Sequence, residues 1–139
     1  LKRSLPWTIA NVVVLLVFGF GIVVQFNDPD PWRWVVVYAL GAAACVQELL
    51  RRGSWRLPAL ATAITVAWAA TIVPRAMGVG FGEMVEEFEM KDLRIEEARE
   101  MWGLLIIAGW CALVAMAAWQ RQRSASGTSR AAPAEPEAS

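Results

Sequence analysis

Residues 7–26 read WTIANVVVLLVFGFGIVVQF, twenty residues without a charge. A bilayer core about 30 Å thick needs roughly 20 predominantly apolar residues of helix. The stretch therefore reads as a membrane span. Lys2 and Arg3 precede it, as basic residues precede a signal peptide. Its apolar run is too long for one and no Ala-x-Ala site follows, so the segment is expected to stay attached.

Three further stretches have the same character. They are 34–50 (WVVVYALGAAACVQELL), 57–74 (LPALATAITVAWAATIVP) and 103–119 (GLLIIAGWCALVAMAAW). Glu48 is the only charge inside the four limits, close to an end. A charge at mid-membrane costs about 2.5–3.5 kcal/mol, so charge-free interiors fit spanning helices. Composition agrees: 57% of the 139 residues are hydrophobic and mean hydropathy is positive. The expected fold is an all-α membrane protein, a four-transmembrane-helix bundle over residues 1–123. Residues 124–139 (SASGTSRAAPAEPEAS) are too polar and Pro-containing to fold, and are expected to form a disordered cytoplasmic tail.

Basic residues set the orientation. Lys2 and Arg3 precede the first span, Arg51, Arg52 and Arg56 separate the second and third, and Arg121, Arg123 and Arg130 follow the fourth. The first connection holds Arg33 beside Asp28 and Asp30. The third holds Arg75, Lys91, Arg94 and Arg99 against eight acids. Basic and acidic connections thus alternate, which places both termini in the cytoplasm of a multi-pass cell-membrane protein. Trp7, Trp32, Trp34, Trp55, Trp102 and Trp119 fall at span borders, where amphipathic rings prefer to sit. Ala59, Ala63 and Ala67 on the third span, and Ala108, Ala112 and Ala115 on the fourth, form small-residue stripes expected to pack.

The chain has no His and its formal net charge is zero. The first fact removes the commonest metal ligand and general base. The second removes any global pull toward nucleic acid. Cys45 and Cys111 lie inside apolar runs and read as small buried hydrophobes. No cofactor is implied.

Two polar constellations stand out. The first is Gln25-Phe26-Asn27-Asp28-Pro29-Asp30-Pro31. Asn27 suits a helix C-terminus, Asp30 an N-cap and Pro31 the first helical position. Capping leaves Asp28 and Gln25 unexplained. Steps of four from Asp30 reach Trp34 and Tyr38, a face expected to point into the bundle. The second constellation is the third connection. Its Gly78, Gly80 and Gly82 read as a flexible joint. From Phe81 onward an apolar face recurs among acids, predicting an acidic amphipathic helical segment on the outer side before the fourth span. Glu96 and Glu100 are one turn apart and repel unless Arg99 or a cation neutralises them.

Residues 24–38 (VQFNDPDPWRWVVVY) and 96–110 (EEAREMWGLLIIAGW) together resemble the transmembrane protein 220 family, small polytopic proteins of unknown activity. The resemblance singles out Gln25, Asn27, Asp28, Pro29, Asp30, Trp34, Tyr38, Glu96, Glu97, Arg99, Glu100, Gly103 and Trp110. Ala98 stands where the family pattern has Gly, which a helix tolerates. The resemblance implies membrane placement and no reaction.

Three functions compete. One is a non-enzymatic structural or interaction component, bound to a protein partner or a second copy within the lipid bilayer. Another is a binding or transport protein using the outer carboxylates, with Asp28, Glu96 and Glu100 as candidate ligands for a divalent cation or a lipid head group. The third, a membrane enzyme, lacks His and has its serines at the cytoplasmic end, away from the acids. A non-enzyme is expected.

Overall fold

The computed structural model describes residues 4–26, 31–76 and 93–130. These form four helices: α1 (Leu5–Gln25), α2 (Pro31–Leu50), α3 (Arg56–Ala76) and α4 (Leu93–Arg130). All four are long and apolar enough to cross a membrane. The caps at Asn27 and Asp30, and the glycine joint, lie outside the described residues. Pro31 opens α2, where its missing N–H has no helical bond to lose.

Helix ends are set by local chemistry. Pro6 lies in the first turn of α1, and the Thr8 N–H donates to the Ser4 carbonyl at 3.2 Å. At the end of α2, the Arg51 N–H donates to the Glu48 carbonyl and the Arg52 N–H to that of Gln47, both at 3.2 Å. This pattern turns the chain through a left-handed residue, here Arg51 at φ 51°. Gly53, at φ 102°, completes the reversal into α3.

α1 packs on α2 and α3 on α4, while α2 also touches α3 and α4. α2 is therefore the seam of the bundle. Phe18 of α1 lies over Gly41 of α2, and Tyr38 of α2 over Gly21 of α1. The core continues through Val37, Ala44 and Cys45 of α2 to Ala61, Ala69 and Ile72 of α3, and to Leu104, Ile107, Cys111 and Val114 of α4. Leu16 and Phe20 on the outer face of α1 are 68% and 71% exposed, which suits contact with lipid.

Two expectations need correction. Ala63 and Ala67 are exposed; the buried stripe of α3 is Ala61, Thr65 and Ala69. Small residues occur in both registers, so spacing alone does not choose the face. Bulky Leu60, Ile64 and Val66 decide it by turning outward. On α4, Ala108 is buried and Ala112 and Ala115 are half-buried, as expected.

The second correction concerns residue 124, where the sequence suggested that order ends. α4 is continuous to Arg130. Gln, Arg and Ala after Trp119 are good helix formers. The Ser124 and Ser126 hydroxyls donate to the Gln120 and Gln122 carbonyls, both at 3.0 Å. Arg123 stacks over Trp119, its Cζ 4.4 Å from the ring centroid. The remaining tail, which contains both Pro133 and Pro136, lies outside the described residues. At its other end α4 already begins at Leu93, so the last part of the third connection is continuous with the fourth span.

Candidate functional site

At one end of the bundle an ion pair between α2 and α4 is joined by an indole donor from α1. α2 carries Glu48 three residues before the left-handed Arg51, and α4 runs past Trp119 far enough to bring Arg121 level with it. Arg121 Nη1 donates to Glu48 Oε1 at 2.7 Å, and Nη2 to Oε2 at 2.6 Å. Such two-pronged guanidinium–carboxylate pairs are the strong ones. From α1, Trp7 Nε1 donates to the same Oε1 at 2.9 Å. The Glu48 side chain is 6% exposed and that of Arg121 22%.

Behind this pair the Trp7 ring stacks on Trp110 of α4, centroids 5.4 Å apart and planes inclined by 24°. This stack carries α1 across to α4. Asn11, one turn beyond Trp7, is wholly buried. Its Nδ2 donates to the Trp7 carbonyl at 3.2 Å. Its Oδ1 and the Trp110 Nε1 are buried without a hydrogen-bond partner among the described residues. Cys45, three residues before Glu48, and Cys111, beside Trp110, are buried free thiols.

Of the residues singled out by the sequence, Trp110 lies behind the clamp, and the polar cluster lies toward the opposite end. Trp34 and Tyr38 do point into the bundle: Trp34 packs on Trp68 of α3 at 4.8 Å, and Tyr38 on Phe18 at 6.1 Å. Gln25 is half-buried, and its Oε1 has no partner among the described residues. Glu97, Arg99 and Glu100 are half-buried on α4, and each engages a neighbour. Asn27, Asp28 and Asp30 lie outside the described residues, and Glu96 is described as backbone alone. The Asp28, Glu96 and Glu100 ligand set therefore falls outside them too. Among the described residues, no group of three or more His, Cys, Asp or Glu is placed to hold a metal.

The Glu48 clamp was missed by motif reading. Its signals were scattered: the one acid within the spans, Glu48, the amide at Asn11, and Arg121 just past the fourth span. None forms a motif, because the partners are 41 and 73 residues apart in the chain.

The family model described as "Transmembrane family 220, helix" matches residues 8–116. The chain belongs to the transmembrane protein 220 family. A family relative, Transmembrane protein 220 of Xenopus laevis, is 29% identical over 117 residues, covering 81% of this chain and 60% of that protein. The chain thus spans about 60% of the length of that curated relative. No solved structure matches. The family interval holds Asn11, Gln25, Trp34, Tyr38, Glu48 and Trp110. Trp7 and Arg121 lie just outside it, at opposite ends.

Proposed function

We propose that this family member is a non-enzymatic structural or interaction component of the cell membrane, with both termini in the cytoplasm. The observation carrying this reading is the Glu48 clamp. Both carboxylate oxygens are engaged, by Arg121 and Trp7, so the acid within the spans ties α1, α2 and α4 together. The basic residues of the clamp end, Arg51, Arg52, Arg56, Arg121 and Arg123, support the orientation. A rigid bundle with lipid-facing α1 suits assembly with a protein partner or a second copy. The test is native mass spectrometry of the full chain released in lipid particles from its host membrane. A reproducible ratio of chain to partner, or of chain to chain, is expected. A chain found solely as a monomer would sink the proposal.

A second reading is a binding or transport protein using the carboxylates at the Gln25 end. Gln25 Oε1 favours it, since a shielded oxygen without a partner among the described residues suits a hard cation. Chelation should then lower the melting temperature of the unmodified protein but not of Asp28→Asn. Melting that ignores chelation removes this reading.

A further inference from the structure

At the clamp end the chain turns from α2 into α3 through residues 51–55. The turn carries Arg51 and Arg52, and Arg56 opens α3. Acids are scarce here. Glu48 is the one acid between Asp30 and Glu83, and none lies between Glu100 and Glu135. Glu48 is already taken: Arg121 holds both its oxygens and Trp7 shares one of them. Arg51 engages a neighbour of its own. Arg52 and Arg56 are exposed, and no second acid stands at this end among the described residues to neutralise them.

We infer that the α2–α3 turn binds the head group of an anionic phospholipid, its phosphate held by the Arg52 and Arg56 guanidiniums and an acyl chain lying along α3. The inference is independent of the assembly reading above.

Depth decides the class of anion. Both helices are long and apolar enough to cross a membrane. Leu50, just before the turn, is 60% exposed, and Leu60, one turn into α3, is 54% exposed. Such side chains belong against lipid. Arg56 and Leu60 are four residues apart on one face of α3, about 6 Å along its axis. The guanidinium therefore stands directly above a lipid-facing leucine. The head-group layer is about 5–8 Å thick on each side of the bilayer core, so Arg56 falls at the level of the lipid phosphates. Trp55, 39% exposed, marks the same border.

Charge then selects among lipids. Basic residues at a membrane surface attract anionic head groups, about five-fold in affinity for each Lys or Arg. A choline head group brings its own cation against the two guanidiniums, whereas a glycerol head group does not. Both residues are Arg, whose planar fork of donors fits phosphate oxygens two at a time. The turn that carries them is fixed. Arg51 at φ 51° and Gly53 at φ 102° reverse the chain. The Ser54 hydroxyl accepts the Arg56 N–H at 3.2 Å. Arg52 and Arg56 are thus presented from a backbone whose course is set by its own hydrogen bonds.

The experiment is native mass spectrometry of the full chain in detergent, with phosphatidylglycerol or phosphatidylcholine added. Phosphatidylglycerol should be retained in preference to phosphatidylcholine. Arg52→Gln and Arg56→Gln should each cut that preference about five-fold, and the double change about 25-fold. Arg33→Gln, at the far end of the bundle, should leave it unchanged. A thermal melt of each variant checks its fold. Soluble glycerol phosphate should fail to displace the lipid. Equal retention of the two lipids by the unmodified protein would overturn the inference. So would an undiminished preference in either folded single variant, an equal loss in Arg33→Gln, or displacement by glycerol phosphate. A preference that emerges solely after Glu135→Gln with Glu137→Gln would assign the two arginines to the chain's own tail and overturn it as well.

Discussion

The Tyr38 ring occupies the space where a side chain at Gly21 would stand, its Cε1 2.8 Å from the ideal Cβ position. Phe18 and Gly41 repeat the arrangement with the helices exchanged, at 2.7 Å. Each helix thus offers one ring and one glycine to the other.

Gly21→Ala should therefore destabilise the protein by about 1–3 kcal/mol, the usual cost of overpacking. At Gly19, an added Cβ meets nothing within 4 Å, so Gly19→Ala should be tolerated. Thermal unfolding in detergent separates the two. Equal melting temperatures would contradict the interlocked α1–α2 contact.

Breaking the clamp should cost more. Removing one partner of a buried ion pair leaves the other charge uncompensated, at about 3–5 kcal/mol. Arg121→Met and Glu48→Met, made singly, should approach that range, reduced by the partial exposure of Arg121. The paired change Glu48→Met with Arg121→Met should recover most of the loss. Unfolding midpoints of the four proteins make a double-mutant cycle. Additive losses would show that the two side chains do not support each other.

Gly53→Ala tests the turn that aims α3. With φ at 102°, alanine is strained there, and its Cβ would meet the Gln47 side chain at 2.6 Å. A loss above about 1 kcal/mol is expected. A melting temperature unchanged from the parent would rule out this turn geometry.

Orientation is checked by thiol labelling in sealed cells. Cys45 and Cys111 are buried and should stay silent, giving a clean background. A Cys replacing Glu89 should react with an impermeant reagent added outside, whereas one replacing Ser126 should react only after the membrane is opened. The opposite pattern would invert the bundle.

The spans were legible because the bilayer imposes length and apolarity on each helix separately. Residues 7–26 and 34–50 map closely onto α1 and α2. Which face of α3 packs was not legible, because Ala59, Ala63 and Ala67 compete with Ala61, Thr65 and Ala69 on nearly equal terms. The reach of α4 was also hidden. Its extension past Trp119 depends on Arg121 finding Glu48 and Arg123 finding Trp119, and one of those contacts crosses to another helix. That Trp34 and Tyr38 face the bundle was legible from helical spacing. The clamp was not, since its members come from α1, α2 and α4.

The clamp also has a schedule. Trp7 is made first, then Glu48, and Arg121 follows 73 residues later. At about 5–20 residues per second of synthesis, Glu48 waits some 4–15 seconds for its cation. During that wait the α1–α2 hairpin can already hold the carboxylate through the Trp7 indole. The ribosome thus delivers a provisional neutral donor before the charged one, and α4 enters a bundle whose acid is already aimed at the place Arg121 will take.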